Sequence, residues 1–413
     1  MRPSYPLSPI PVMSAKTNAP KYPVVRLHPN RDKRIRSGHP WVYSNEVQMD
    51  QTAKVIPPGS VVRLLDAGGS ALGVATFNPH TLIAARLLTT DAGAVVDHDF
   101  LAGRIARAVA LRDRLYGRPY YRAIHAEADG LPGLIVDRYG DVVTVQANSV
   151  FMDSRMDAIL AAVDTVLSPR AVILRNDSTQ RALEGLAEET RLAKGEIDGP
   201  LTLEENGCTF YADPLGGQKT GWFYDQRDNR AFIASLAAGG KVIDFFSYNG
   251  GFAVTCAARG AASVVAVDRS LPALENATRA AEANGVSDRF EARRAEAFHE
   301  LERLAAEGEL FDVVIVDPPA FVKSKKDLAV GCRAYRKMTK LAARITRPGG
   351  FLLAASCSHN VDPVTFAEQV ARGLTDAGRS GRILRSAGAG CDHPVHPHLP
   401  ESAYLKAITL QLD

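Results

Sequence analysis

The stretch FLLAASCSHN, residues 351–360, ends an apolar run on a thiol, Cys357, set between two serines. Such a thiol can be an inert core filler, a disulfide half, a metal ligand or a nucleophile, and each role needs different company. Cys208, Cys256, Cys332, Cys357 and Cys391 are odd in number and widely spaced, with no C-x-x-C pair. That pattern argues against a disulfide framework and a structural zinc site. A second apolar run, DVVIVDPPAF (312–321), ends on Asp317. The two prolines after it stiffen the chain, so the carboxylate and the carbonyls are held outward, an arrangement that suits a flat nucleobase. If these runs are neighbouring strands, thiol and carboxylate face one pocket. A thiolate adding to C6 of a cytosine makes C5 enamine-like and able to take a methyl group from a sulfonium. Loss of the C5 proton then expels the thiol, and a carboxylate near N3 and N4 stabilises the intermediate. A D-P-P loop followed by an aromatic residue also serves methylation of exocyclic amines, but there the aromatic follows the second proline directly. Here Ala320 precedes Phe321.

The donor side of that chemistry has its own residues. DFFSYNGG (244–251) closes the first apolar strand of the C-terminal half, and VVAVDRS closes the second, placing Asp244 and Asp268 at successive strand ends. Gly250 and Gly251 let backbone approach a ligand, and a helix from about Phe252 offers free amides. Asp244 would repel a pyrophosphate but welcome an ammonium, and Asp268 can accept both ribose hydroxyls. The G-x-G-x-x-G spacing of a dinucleotide fold is missing. The ordered set suits S-adenosylmethionine better than NAD; glycines alone would mark only a tight turn.

These residues need a scaffold that puts strand ends side by side. KVIDFF, SVVAVD, FEARRA, DVVIVDPP and FLLAASC alternate with helical stretches, which implies an α/β, doubly wound parallel sheet with ligands at the carboxyl ends. Residues 196–413 are assigned to this domain. Upstream, 22–92 carries short β runs broken by PGS and AGG and reads as a small β-barrel. Residues 93–195 hold a connecting helix, with Leu101, Ile105, Ala108, Leu111 and Leu115 inward and Arg104, Arg107, Arg112 and Arg114 outward. After it comes a central α/β unit with hairpin turns at Pro132-Gly133 and Gly140-Asp141 and a helix at about 153–167. Residues 1–21, rich in proline and without an apolar signal core, read as a disordered tail.

At 413 residues, 46% hydrophobic and +3 in net charge, the chain needs several cores. No apolar run approaches the roughly 20 residues of a membrane span, so a cytoplasmic enzyme with no membrane partner is expected. RLHPNRDKRIR (26–36) concentrates Arg31, Lys33 and Arg34 into a basic patch, either an RNA contact or a solvated face. CDHPVHPHLPE (391–401) brings His393, His396 and His398 together, but its prolines favour a rigid loop over a metal site. No metal is expected.

DFFSYNGGFAV, VDPPAF, SCS and GGQKTGWFYDQRDNR (216–230) resemble the large-subunit ribosomal RNA methyltransferases that make 5-methylcytosine in bacterial 23S rRNA, and the resemblance covers nearly the whole chain. It implies an N-terminal PUA domain, to which RLHPNRDKRIRSGHPWVYSNEV is similar. It also implies a central α/β domain, matched by HAEADGLPGLIVDRYGD, and a class I methyltransferase domain. Carried over, Cys357 is the nucleophile and Asp317 the acid of the fourth strand. Asp244, Ser247, Asn249, Gly250 and Asp268 hold S-adenosylmethionine, with Gln218 and Arg227 at its methionine end. The family's aspartate at the end of the third strand is replaced here by Glu296, which would have to reach the adenine amine with one more methylene. Two-cysteine cytosine methyltransferases carry a second thiol in the fourth-strand loop; here that place is Asp-Pro-Pro, which leaves removal of the C5 proton unassigned. The histidine loop is expected to border the base, with Glu401 as proton acceptor. The other readings are an rRNA guanine or adenine amine methyltransferase and an inactive RNA-binding factor. A homodimer is neither required nor excluded by any motif.

Overall fold

The computed structural model describes residues 21–217 and 220–413; the proline-rich N-terminal stretch and Gln218 lie outside the described residues. The first unit is a five-stranded sheet of Val24–Arg26, Trp41–Tyr43, Ser60–Leu65, Ala71–Phe77 and Ile83–Thr89. The short helix Lys33–Arg36 sits on it through Ile35, the one buried residue of that basic turn. The connecting helix spans His98–Leu115, capped by Asp97 through the amide of Phe100. Its inward face is corrected by the structure: Leu111 and Leu115 are exposed, while Val109 and Arg112 are buried. Arg112 can go inside because Asp129 meets it with two hydrogen bonds, at 2.6 and 2.8 Å, and it also donates to the carbonyl of Asp392 at 2.8 Å.

The central unit is a second five-stranded sheet, in which Tyr120–His125, Leu134–Tyr139, Val142–Ala147, Ala171–Asn176 and Glu189–Lys194 lie side by side in chain order. Gly140-Asp141 turns a hairpin as expected. Pro132-Gly133 also turns the chain, the Leu134 amide donating to the Leu131 carbonyl at 2.9 Å, at the end of the longer connection through Ala126–Asp129 that joins the antiparallel strands Tyr120–His125 and Leu134–Tyr139. The expected single helix is two, Val150–Ser154 and Met156–Leu167. A hairpin of Leu201–Glu205 and Cys208–Ala212, absent from the sequence reading, precedes the third unit.

That unit is a seven-stranded sheet of β1 (Lys241–Phe245), β2 (Ser263–Asp268), β3 (Phe290–Arg294), β4 (Phe311–Val316), β5 (Thr346–Ser356), β6 (Gly381–Ala387) and β7 (Lys406–Leu412), in the order β3-β2-β1-β4-β5-β7-β6. The five strands read from the sequence are parallel; β7 pairs antiparallel with β5 and with β6, so the sheet is mixed. Helices α1 (Gly251–Ala258), α2 (Leu271–Ala283), α3 (Ala297–Glu307), α4 (Leu328–Ile345) and α5 (Pro363–Asp376) cover it. Strand alternation divides the core: Val242 packs with the α1 and α2 face, Ile243 and Phe245 with the α3 and α4 face. Each such fully buried side chain contributes ~1.5–3 kcal/mol, which fixes the register that sets Asp244, Asp268 and Asp317 at one edge.

Candidate active site

β1 and β4 are adjacent, so Asp244 and Asp317 come together where the order of strands reverses. Asp244 is fully buried. Its Oδ2 accepts from the Ser247 hydroxyl at 2.6 Å and the Ala253 amide at 3.2 Å, whereas Oδ1 has no hydrogen-bond partner among the described residues. Burial pushes its pKa up to about 7, opposed by the Ser247 hydrogen bond and reinforced by the charge of Asp317. The chain after it runs through Phe246 (φ 61°), Tyr248 (φ 50°) and Gly250 (φ 77°), all left-handed. The two non-glycine positions cost ~1–3 kcal/mol each. They are held by Tyr248 N donating to Asp268 Oδ2 at 2.9 Å and by Asn249 Nδ2 donating to the Tyr211 carbonyl at 2.9 Å.

The sequence-derived cofactor residues separate on inspection. Asp268 takes one amide on each oxygen, from Tyr248 and Ser270, and keeps acceptor capacity on both. Ser247 and Asn249 spend their side-chain donors on the fold. Gly250 is glycine because a Cβ would meet Ala277 of α2 at 2.8 Å, and Gly251 because one would meet Arg230 at 2.5 Å; packing, more than ligand approach, demands both. Glu296 caps α3, accepting from the His299 amide at 2.9 Å, and is half exposed. Arg227 is engaged by the fold: its guanidinium lies 4.2 Å from the Tyr116 ring centroid, donates to the Tyr120 carbonyl and sits 3.8 Å from Glu205. It ties the helix Arg227–Ala234 to the central unit, since a planar cation packs well between rings and carbonyls.

At the end of β5 the flanking serines explain the thiol. Ser356, Ser358 and Tyr335 are fully buried. The Ser356 hydroxyl donates to the Tyr335 oxygen at 2.8 Å, Tyr335 and Ser358 share a hydrogen bond at 2.8 Å, and the Val322 amide donates to Ser358 at 3.1 Å. With both serines turned inward, Cys357 between them turns to the other side, half buried, its Sγ 3.9 Å from the Pro318 carbonyl. The thiol therefore lies against the loop that follows Asp317. Cys332 on α4 is a free thiol outside this arrangement.

Residues the sequence reading missed close the pocket. Tyr404 stacks on His359 with centroids 5.1 Å apart and donates its hydroxyl to Asp225. His125 of the central unit packs 5.0 Å from His393, and burial, helped by the charges of His393, Arg122 and Arg112, holds its pKa well below the usual imidazole range. Lys406 on β7 is 6% exposed and donates to the carbonyls of Ser358 at 2.6 Å and Tyr404 at 2.8 Å. Nothing in the local sequence marks these, because each partner comes from a distant element.

The histidine loop runs from His393, beside His125, to His398, which blocks any Cβ at Gly38 of the N-terminal unit (2.6 Å). Glu401 faces the same way: its charge acts on His39. Among the described residues no group of His, Cys, Asp or Glu could hold a metal ion, and no helix is long and apolar enough to cross a membrane. In the basic patch, Arg31 and Lys33 are exposed without an ion pair among the described residues, while Arg34 lies over Tyr43 (4.7 Å) near Glu46 and His39.

A model of PUA-like domains matches residues 25–90, and one of S-adenosylmethionine-dependent methyltransferases matches residues 186–408. Over 383 residues the chain is 38% identical to the ribosomal RNA large subunit methyltransferase I of Photobacterium profundum, covering 92% of this chain and 96% of that one. The enzyme of the same name from Shewanella denitrificans is 35% identical over 393 residues, 94% of this chain and 99% of its own. A solved structure from Streptococcus mutans, assigned as a SAM-dependent methyltransferase, gives a TM-score of 0.79 at 21% identity, over 94% of this chain and 100% of the other. A methyltransferase structure complexed with SAH gives 0.80 at 21% identity, over 94% and 99%. At that identity the two structures establish the shared fold.

Proposed function

The chain belongs to the family of ribosomal RNA large subunit methyltransferases I, with a PUA-like domain and an S-adenosylmethionine-dependent methyltransferase domain, and on that premise we propose that it methylates C5 of a cytosine in 23S rRNA through a covalent bond from Cys357 to C6. S-adenosylmethionine is the cofactor, and it supplies an electrophilic methyl group on a sulfonium. The site fits it: Asp244 leaves a buried Oδ1 unsatisfied, an acceptor for an ammonium or hydroxyl, and Asp268 offers two oxygens to a pair of ribose hydroxyls. Ser247, Asn249 and Gly250 shape the loop between them. Glu296, half exposed at the start of α3, is the adenine-side residue in this reading, and Gln218 the methionine-side one.

The observation that carries the cytosine reading is the thiol's placement. Amine methylation would need Asp317 and the proline loop but no sulfur, whereas here the buried Ser356–Tyr335–Ser358 network presents sulfur beside that loop. The thiolate would attack C6 of an extruded base, Asp317 would stabilise the N3 and N4 side, and loss of the C5 proton would break the C6–S bond. Tyr404 and His359 offer flat surfaces for the extruded base. The PUA-like unit, with Arg31, Lys33 and Arg34, would hold RNA phosphates. The same reading places the protein in the cytoplasm beside the ribosome precursor; a homodimer is not needed by any part of it.

The test is methyl transfer to 23S rRNA followed by mass-spectrometric nucleoside analysis. Formation of 5-methylcytidine, abolished in Cys357→Ala, is expected. An N-methylated purine formed equally by the variant would replace this reading with the amine-methylating one.

A further inference from the structure

The strained loop after β1 leans on a segment that the central unit holds. Tyr248, left-handed between Asp244 and Asp268, donates its amide to Asp268 and its hydroxyl to the Gly221 carbonyl at 3.2 Å. The Phe223 ring stands edge-on to it, with centroids 5.4 Å apart. Gly217 closes on the same hydroxyl, since a Cβ there would lie 2.7 Å from it. Next along the loop, Asn249 donates to the Tyr211 carbonyl. The segment from Tyr211 to Phe223 is thus the shoulder against which the loop is set, yet after Ala212 its described residues form no helix or strand. An irregular segment keeps its place only when its buried backbone groups are bonded elsewhere.

Those partners come from the central sheet. Alternation along its strands turns Tyr139, Ala171 and Ile173 into the core shared with the catalytic unit, and it turns Asp137 and Arg175 the same way. Arg175, 3% exposed, donates to three carbonyls of the segment, those of Pro214 at 2.7 Å, Leu215 at 3.2 Å and Gly217 at 3.0 Å, and is paired with Asp177 at 2.6 Å. Beyond Gly217, Asp137 is fully buried and held by Arg122 through hydrogen bonds of 2.7 and 2.9 Å. It accepts from the Thr220 hydroxyl, while the Tyr139 hydroxyl donates to the Thr220 carbonyl at 2.9 Å. Burying a guanidinium is costly, and apolar contacts already join the two units. The polar grips add a fixed position for this one segment, because a planar guanidinium bonds several carbonyls in a set geometry.

We propose that the central unit is part of the cofactor site: Arg175 and Asp137 are positioning residues that hold Pro214–Thr220 against Tyr248, and thereby set Asp268 for S-adenosylmethionine. The inference rests on the reading of Asp268 as the ribose carboxylate. Neither residue touches the ligand; each acts through the segment and Tyr248.

The test uses the whole protein and S-adenosylmethionine. Arg175→Met keeps a long side chain but removes every donor, so it should weaken binding in calorimetry at least about tenfold, the effect of stranding buried carbonyls. Arg175→Lys returns a cation with three donors and should bring affinity back to within about threefold of wild type. Thr220→Val removes only the hydroxyl bond to Asp137 and should weaken binding about threefold. In turnover, the losses in Arg175→Met and Thr220→Val should appear as a raised KM for S-adenosylmethionine, with kcat at saturating cofactor kept within about twofold. Binding of 23S rRNA without cofactor should not move. Wild-type cofactor affinity in a folded Arg175→Met overturns the proposal, and if that variant does not fold, wild-type affinity in Thr220→Val overturns it. A parallel fall in RNA affinity and thermal stability that Arg175→Lys does not reverse also overturns it, because Arg175 would then be only a tie between units. Weak binding in Arg175→Met beside normal binding in Asp268→Ala would keep the grip and remove the ribose reading instead.

Discussion

The two ends of the pocket are built on opposite principles. The loop after β1 holds two non-glycine residues in left-handed conformations around a buried carboxylate with one oxygen unpaired, so it carries strain and an unmet hydrogen bond in the protein alone. The turn after β5 carries neither: its hydroxyls satisfy one another, and only the sulfur is left facing outward. In the proposed reading the first region is completed by the cofactor, while the second is held by its own hydrogen bonds. A cofactor exchanged at every turnover suits the former, and a nucleophile that must be aimed suits the latter.

The contrast can be broken most sharply at Asp268, the carboxylate proposed to hold the ribose. Asp268→Ala removes charge-assisted hydrogen bonds of ~1.5–3 kcal/mol each, and should weaken S-adenosylmethionine binding at least about tenfold by calorimetry. Undiminished affinity would show that the β1 loop is not completed by this ligand. At the other end, Tyr335→Phe removes the partner that the buried Ser356 and Ser358 hydroxyls share, leaving each with only a backbone amide. It should cost ~1–3 kcal/mol in denaturant unfolding and lower kcat while leaving cofactor affinity unchanged. Equal loss of both would mean the two ends are one unit.

The strain itself can be titrated. With its folded pKa near 7 against an ordinary 3.8, Asp244 binds a proton more readily folded than unfolded, so its contribution to stability is present below about pH 4 and lost as pH rises through about 7. Asp244→Asn should therefore unfold at a higher temperature than wild type above pH 7, by ~2–4 °C per kcal/mol recovered, with the difference shrinking toward pH 4. It should also bind cofactor more weakly. A variant less stable than wild type at pH 8 would contradict the account. The smallest effect concerns the distant patch: alanine at Arg31 and Lys33 should flatten the log–log salt dependence of RNA binding by ~0.7–0.9 per lost contact. An unchanged slope would leave them as a solvated face.

Much of this was legible in the sequence because it is local. Apolar runs ending in Asp244, Asp268, Asp317 and Cys357 are strands by composition, and the order of a doubly wound sheet places their ends together. What failed was information carried by partners far along the chain. Arg112 looked solvated because its partner, Asp129, lies beyond the helix, and the packing of Arg227 on Tyr116 and Tyr120 could not be read because those residues are in another unit. Gly250 and Gly251 were legible as glycines but not as answers to Ala277 and Arg230. Lys406 reads as an ordinary strand lysine until β7 is seen to run beside β5.

The central claim, that Cys357 bonds to the base, is tested most directly with 23S rRNA carrying 5-fluorocytosine. Fluorine replaces the proton that must leave, so wild-type enzyme with S-adenosylmethionine should stall as an enzyme–RNA adduct that survives denaturing electrophoresis. Cys357→Ala should bind cofactor but give neither adduct nor methyl transfer. Methylation near the wild-type rate by Cys357→Ala, or turnover of the fluorinated RNA without an adduct, would contradict the account.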